Sequence, residues 1–135
     1  MGSRYLLDTN ICIYIAKTRP PSVAKRFALL APQTVKMSLI TYGELCFGAE
    51  KSSQREAALG KLARLVEWIP VLPLDAAVGE AYGSLRRQLQ SAGTLIGNND
   101  LWIAAHALAL GMTLVSNNVR EFQRVPGLHL ENWVS

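Results

Sequence analysis

The sequence predicts one α/β domain over residues 1–135, with a parallel sheet of four to five strands flanked by helices on both faces. Three observations lead there. A length of 135 residues matches one domain. Half of the residues are apolar and 18% are charged, a balance that fills a core and excludes general disorder. Short apolar runs of strand length alternate with stretches whose apolar residues recur every three or four positions, and strands joined through helices return parallel by right-handed crossovers. No internal repeat or low-complexity segment interrupts the pattern.

Tyr5–Leu7 is the first strand, and it stops at Asp8-Thr9-Asn10, three residues that favour turns and helix N-caps. Ile11–Lys17 reads as a short helix broken by Arg19-Pro20-Pro21, after which Ser22 is placed to cap a second helix through Leu30. Val35–Ser38 is the second strand, followed at once by a helix over Ile40–Gly48 that carries Glu44 in its first turns. Ser52-Ser53 opens a further helix with an apolar stripe of Ala58, Leu59, Leu62, Leu65 and Val66. The two prolines in Ile69–Leu74 mark an edge strand. Asp75 starts a long helix ending near Ala92-Gly93, and Gly97-Asn98-Asn99-Asp100 reads as a capping cluster for a helix over Leu101–Leu110, closed by Gly111. Thr113–Val115 is another strand, ending at Ser116-Asn117-Asn118 before a short helix around Arg120–Phe122, and Leu128–Leu130 adds a last strand.

A chain without any apolar run of about eighteen residues, whose N-terminal segment carries Asp8 and Asn10, is expected to be soluble and cytoplasmic. Cys12 and Cys46 lie in apolar helical patterns without metal-binding spacing and read as small buried hydrophobes. Fourteen basic against ten acidic residues give a net charge of +4, a modest preference for anionic partners such as nucleic acid. His106 is expected to be a structural histidine, Trp68, Trp102 and Trp133 core or interface residues, and Arg86-Arg87 a solvated face that could also meet phosphates.

In open parallel sheets ligands bind beyond the carboxyl ends of the strands, where the strand order reverses. Asp8 follows the first strand, Glu44 the second, Ser116, Asn117 and Asn118 the Thr113 strand, and Asp100 opens a helix after a glycine turn, so these residues can converge. Three gathered carboxylates repel one another unless a cation offsets the charge. Oxygen ligands alone suit Mg²⁺ or Mn²⁺ rather than zinc, and such a cluster suits phosphodiester hydrolysis. The plainer alternative is that Asp8 and Asp100 only cap helices, as Asp75 is expected to do. Glu44, set among Tyr42, Leu45 and Phe47, is harder to explain without a partner.

The segments YLLDTNICIYIAK, MSLITYGELCFGAEK and IGNNDLWIAAHALALGMTLVSNNVREFQRVPGL, with LENW near the end, resemble the PIN-domain ribonuclease toxins of the VapC type. The likeness covers almost the whole chain and implies a PIN-like fold in which Asp8, Glu44 and Asp100 hold Mg²⁺, braced by Asn10 and Thr41. It places the fourth acidic position at Asn118, or else Asn117, an amide that weakens any second metal site. It further implies a homodimer that cuts RNA, most closely the anticodon stem-loop of initiator tRNA, until a VapB antitoxin covers the acids. The partner groove is expected between the helical stretches Ile11–Ala16 and Phe27–Leu30.

Rivals of two classes fare worse. A phosphoacceptor receiver domain needs an early acidic pair, and a haloacid-dehalogenase-like phosphatase needs a second Asp where Asn10 stands. A non-catalytic binding module would leave the repulsion among Asp8, Glu44 and Asp100 uncompensated.

Overall fold

The computed structural model describes residues 3–134. Strands β1 (Tyr5–Leu7), β2 (Val35–Ser38), β3 (Val71–Leu72), β4 (Thr113–Val115) and β5 (Leu130–Glu131) form one sheet in the spatial order β3-β2-β1-β4-β5, parallel throughout. The helices are α1 (Thr9–Lys17), α2 (Pro21–Ala28), α3 (Leu39–Glu50), α4 (Arg55–Trp68), α5 (Ala76–Ala92), α6 (Asn98–Leu110) and α7 (Val119–Phe122), with a 3₁₀ turn at Pro32–Thr34. No helix among the described residues is long and apolar enough to cross a membrane.

Side chains alternate across a strand, so the central β1 serves two cores. Tyr5 and Leu7 pack with Val35, Met37, Ile11, Ile15, Leu62 and Leu65 on one face. Leu6 points to the other, with Leu114, Leu85, Leu89, Leu101, Ile103 and Phe122. The uninterrupted apolar run at Tyr5–Leu7 is therefore what a strand covered on both faces requires. Gly111 ends α6 in the left-handed conformation (φ 65°) expected of a C-cap glycine.

Several local expectations change. Ser22 does not cap α2; the cap position is Pro20, Pro21 takes the first helical position, and the Ser22 hydroxyl donates instead to the Val134 carbonyl at 3.0 Å. The helix after Ser52-Ser53 begins only at Arg55, because Ser52 turns its oxygen to the Gln54 N–H. Gly97, not an Asn or Asp, is the cap of α6, which leaves the side chains of its first turn free for other partners. The last strand is shifted to Leu130–Glu131. Ile11 and Ile15 lie in the core, while Leu29, in the second stretch of the expected partner groove, is exposed. Cys46 is only half-buried, although Cys12 is buried. Trp68, the last residue of α4, is exposed, whereas Trp133 is buried and Trp102 stacks on Tyr82 with ring centroids 3.8 Å apart.

His106 is fully buried on α6 and pairs through Nδ1 with the Ser38 hydroxyl at 2.8 Å, tying α6 to the start of α3. Burial holds its pKa below the ordinary imidazole value. Leu6→Ala, which opens a cavity under the central strand, should cost about 2–5 kcal/mol of stability, read as a fall in the urea midpoint.

Candidate active site

The chain lays β1, β2 and β3 outward in one direction and then returns to place β4 on the other side of β1. The order reverses between β1 and β4, and that is where Asp8 sits. Its backbone N–H continues the ladder to the Val115 carbonyl at 3.0 Å. Its side chain does two jobs. Oδ1 accepts from the Ile11 N–H at 3.1 Å and so caps α1, while Oδ2 accepts from the Ser116 hydroxyl at the end of β4. Capping and a place in the acid cluster are therefore not alternatives for this residue. Asp8 is 6% exposed, and burial raises its pKa against the opposing hydrogen bonds from Ser116 and Ile11, with the Glu44 charge adding to the rise.

Ser38 ends β2 and caps α3 through the Ile40 N–H, which directs the first turns of α3 past the same strand ends. Glu44 thereby comes within reach of both neighbouring elements: Thr9 donates its hydroxyl to Oε1, and Asn99 donates Nδ2 to Oε2 at 3.2 Å. Asp100 lies one residue further along α6 and faces a fourth carboxylate, Glu121 on α7. Glu121 accepts from the Gly97 N–H at the start of α6 and from Asn118 Nδ2 at 2.8 Å. A Cβ on Gly97 would meet Glu121 Oε1 at 3.4 Å and Asp100 Oδ2 at 3.8 Å, ordinary contact distances that place both acids beside the helix start.

The electrostatics follow. Burial, the charge and hydrogen bond of Glu121, and the charges of Asp8 and Glu44 push the Asp100 carboxyl up to about 7. Burial would raise Glu121 as well, but the hydrogen bonds from Gly97, Asn118 and Asp100 outweigh it and hold its pKa low. Asp100 and Glu121 thus share a proton near neutrality. No ion pair relieves the cluster: those among the described residues join Arg26 to Glu131 and Arg55 to Glu50 and Glu56.

In kind, the donors fit a hard divalent cation, since they are carboxylate, hydroxyl and amide oxygens and the retained proton supplies positive charge where a cation would. In position, the carboxylates are held by their protein partners, and no three Asp, Glu, His or Cys side chains among the described residues close on one point as a ligand set.

The other expected site residues divide. Ser116 and Asn118 both serve the acids, Ser116 by donating to Asp8 while accepting the Asn118 N–H at 2.9 Å, and Asn118 by holding Glu121. Asn117 turns away to the Tyr14 hydroxyl at 3.4 Å. Asn10 is exposed, and its contact with Asp8 is through the backbone N–H rather than the side chain. Thr41 is buried with its hydroxyl unpartnered, so it braces no acid by hydrogen bonding. The Asn118 position lacks a carboxylate, but Glu121, one helical turn later, brings one to Asp100. Sequence reasoning missed Glu121, Thr9, Asn99 and Gly97. The Asn-x-x-Glu-Phe spacing over Asn118–Phe122 was the available signal, because residues three apart on a helical turn can pair.

The raised carboxyl of Asp100 makes a prediction for the metal-free protein. In the unfolded chain it titrates at 3.8 and in the folded protein at about 7, so between these values the folded state binds more protons and stability falls as pH rises. The thermal midpoint of the wild type in chelator, relative to Asp100→Asn, should decline across that window. A constant difference between the two proteins would refute the shared proton.

Residues 5–128 match the family model for the PIN domain. The chain is 43% identical to Ribonuclease VapC2 of Rickettsia felis over 130 residues, covering 96% of this chain and 97% of that one. It is 42% identical to the tRNA(fMet)-specific endonuclease VapC of Shigella flexneri over 130 residues, with 96% and 98% covered. The structure superposes on that of VapBC-1 from nontypeable Haemophilus influenzae with a TM-score of 0.90 at 42% identity, covering 97% of this chain and 98% of the other. With its acids at the β1/β4 reversal and this likeness along nearly its full length, the chain belongs to the PIN-domain family and, within it, to the VapC ribonucleases.

Proposed function

We propose that this chain is the toxin of a toxin-antitoxin pair, a divalent-metal-dependent endoribonuclease that hydrolyses a phosphodiester bond in RNA. The observation that carries the reading is the acid cluster itself: Asp8, Glu44, Asp100 and Glu121 come from four separate elements to one sheet edge without an ion-pair partner. An arrangement so costly to the fold is retained where a cation and a phosphate are to be bound. The likeness to a tRNA(fMet)-specific endonuclease favours a tRNA substrate, and unpaired loops are where proteins read RNA by sequence. The likeness to VapBC complexes supports a VapB-type antitoxin as the partner, and the toxin is proposed to be a homodimer. An antitoxin arginine placed among the acids would pair with them by charge-assisted hydrogen bonds and exclude the cation.

Asp8, Glu44 and Asp100, whose oxygens must turn from their present partners to close on one point, would hold Mg²⁺ or Mn²⁺, with Glu121 as a fourth ligand group. The ion, when bound, neutralises charge on the scissile phosphate and makes a water nucleophilic at neutral pH. The chain's own residues prepare that site. Ser116 and the Ile11 N–H orient Asp8, Thr9 and Asn99 orient Glu44, and Asn118 with the Gly97 N–H orients Glu121. Asp100 gives up its proton when positive charge arrives, so cation binding and proton release are linked.

The test is cleavage of purified tRNA with Mg²⁺ or Mn²⁺, with the new RNA ends sequenced. Asp8→Asn, Glu44→Gln and Asp100→Asn should each lower cleavage by at least about 100-fold. Asn at position 8 retains the ability to cap α1, so the folded state survives the loss of charge. Mn²⁺ should raise the thermal midpoint of the wild type but not of Asp8→Asn. Undiminished cleavage by any one variant would remove that residue from the site, and a wild type unaffected by metal would end the metal-dependent reading.

A further inference from the structure

On its α5 side, the start of α6 meets a short run of neutral contacts that ends in a cation. Asn98, the first residue of α6 and two before Asp100, accepts through Oδ1 from the Tyr82 hydroxyl, and that hydroxyl in turn accepts from Arg86 Nη1 at 2.8 Å. The Tyr82 ring lies on Trp102 with centroids 3.8 Å apart and planes 11° from parallel, and the Arg86 guanidinium stands 6.0 Å from the centre of the same ring. Holding a long side chain in one place costs rotamer entropy, and here that cost is met before any ligand arrives.

Arg86 is held without being neutralised. Among the described residues, the side-chain hydrogen bonds of the other arginines go to carboxylates, from Arg26 and Arg55, or to backbone carbonyls, from Arg4 and Arg124. Arg86 alone bonds a hydroxyl, which leaves its charge uncompensated and most of its five N–H donors unused. Arg87 follows it, also without an ion pair among the described residues. The two arginines, with Gly83, Gln90 and Ser91, line an open trough of about 450 Å³ along α5 that starts within one helical turn of Tyr82. One turn of α6 therefore meets these arginines through Asn98 and Glu44 through Asn99, and carries Asp100 itself.

We propose that Arg86 and Arg87 form a phosphate subsite that holds the RNA backbone beside the scissile bond, with Tyr82 as the positioning residue that fixes Arg86. The inference rests on the ribonuclease reading and deepens it by assigning where the substrate strand leaves the acids. RNA carries a negative charge at every nucleotide, and a cation among the acids offsets only the phosphate at the reacting centre. The flanking phosphates still face an edge that holds four carboxylates. A guanidinium pre-set at the next turn offers a planar fork that matches phosphate oxygens. The substrate brings such an anion to this place by its own chemistry, whereas an acidic protein segment would have to bring carboxylates to an edge already crowded with them.

The experiment uses full-length protein and an RNA stem-loop carrying the initiator-tRNA anticodon sequence, with total tRNA as a second substrate. Affinity in chelator and kcat/KM with Mn²⁺ are each read across a KCl series. Arg86→Gln and Arg87→Gln should each weaken binding and kcat/KM by about 10- to 150-fold at low salt. Each should also make the slope of log affinity against log salt shallower by about 0.7–0.9, the signature of one lost phosphate contact. Tyr82→Phe keeps the stack on Trp102 but frees Arg86, and it should lower affinity about 2- to 10-fold while the slope stays that of the wild type. A single uncharged methylphosphonate, moved along the unpaired nucleotides, should weaken the wild type at one position where Arg86→Gln is indifferent to it. Arg64→Gln removes the same charge from α4 and should leave the slope unchanged; an equal fall there would show that net charge alone matters and would overturn the subsite. A wild type that cuts RNA, with Arg86→Gln and Arg87→Gln equal to it in affinity and slope, would overturn the subsite and leave the ribonuclease reading standing. A changed oligomeric mass in either variant with RNA affinity intact would give the arginines to a protein contact instead. A wild type that cuts neither substrate would end both proposals.

Discussion

Mutual repulsion among four carboxylates at one sheet edge is the constraint around which this molecule is arranged. Asp8 occupies the reversal point between β1 and β4, and the charges that act on it there are those of Glu44 and Asp100, with Glu121 set against Asp100 in turn. The chain meets the cost locally. Three of the carboxylates have donors, Ser116 and Ile11 for Asp8, Thr9 and Asn99 for Glu44, and Gly97 and Asn118 for Glu121, while Asp100 keeps a proton. Those donors stabilise the charges without neutralising them, and the balance is left for something that arrives from solution.

The scaffold's order explains why the donors are where they are. A parallel sheet sends every strand's carboxyl end to the same edge, where β1 and β2 turn at once into α1 and α3 and β4 leads through three residues into α7. Helix starts expose backbone N–H groups, and these are the groups that hold Asp8 and Glu121. His106 and Ser38 perform the complementary task from within the core, joining the helix of Asp100 to the start of the helix of Glu44. A cluster that would scatter if α3 and α6 moved independently is thus pinned from below.

Much of this was legible in the sequence for definite reasons. Tyr5–Leu7, Val35–Ser38 and Thr113–Val115 are apolar runs ended by polar turn residues, and each is a strand within those bounds. Asp75 and Gly111 cap helices as their types require. What stayed hidden involves choices between equally good local chemistry. Ser22, Ser52 and the Asn98-Asn99-Asp100 run can all cap a helix, yet Gly97 took one cap and the freed Asn side chains found Tyr82 and Glu44 across space. The Asn118 amide suggested a lost charge, whereas the charge comes from Glu121, which enters only because α7 folds back toward Gly97.

The sequence by itself determined the alternation of strand and helix, the burial of the central strand on both faces and the placing of Asp8, Glu44 and Asp100 just beyond strands or at a helix start, because periodicity and turn chemistry act over a few residues. Only the tertiary structure decided which donors hold each acid, that Glu121 completes the cluster and that Tyr82 ties Arg86 to the start of α6. Those outcomes depend on how close α1, α3, α5, α6 and α7 come to one another, a distance set by packing on the sheet between residues far apart in the chain.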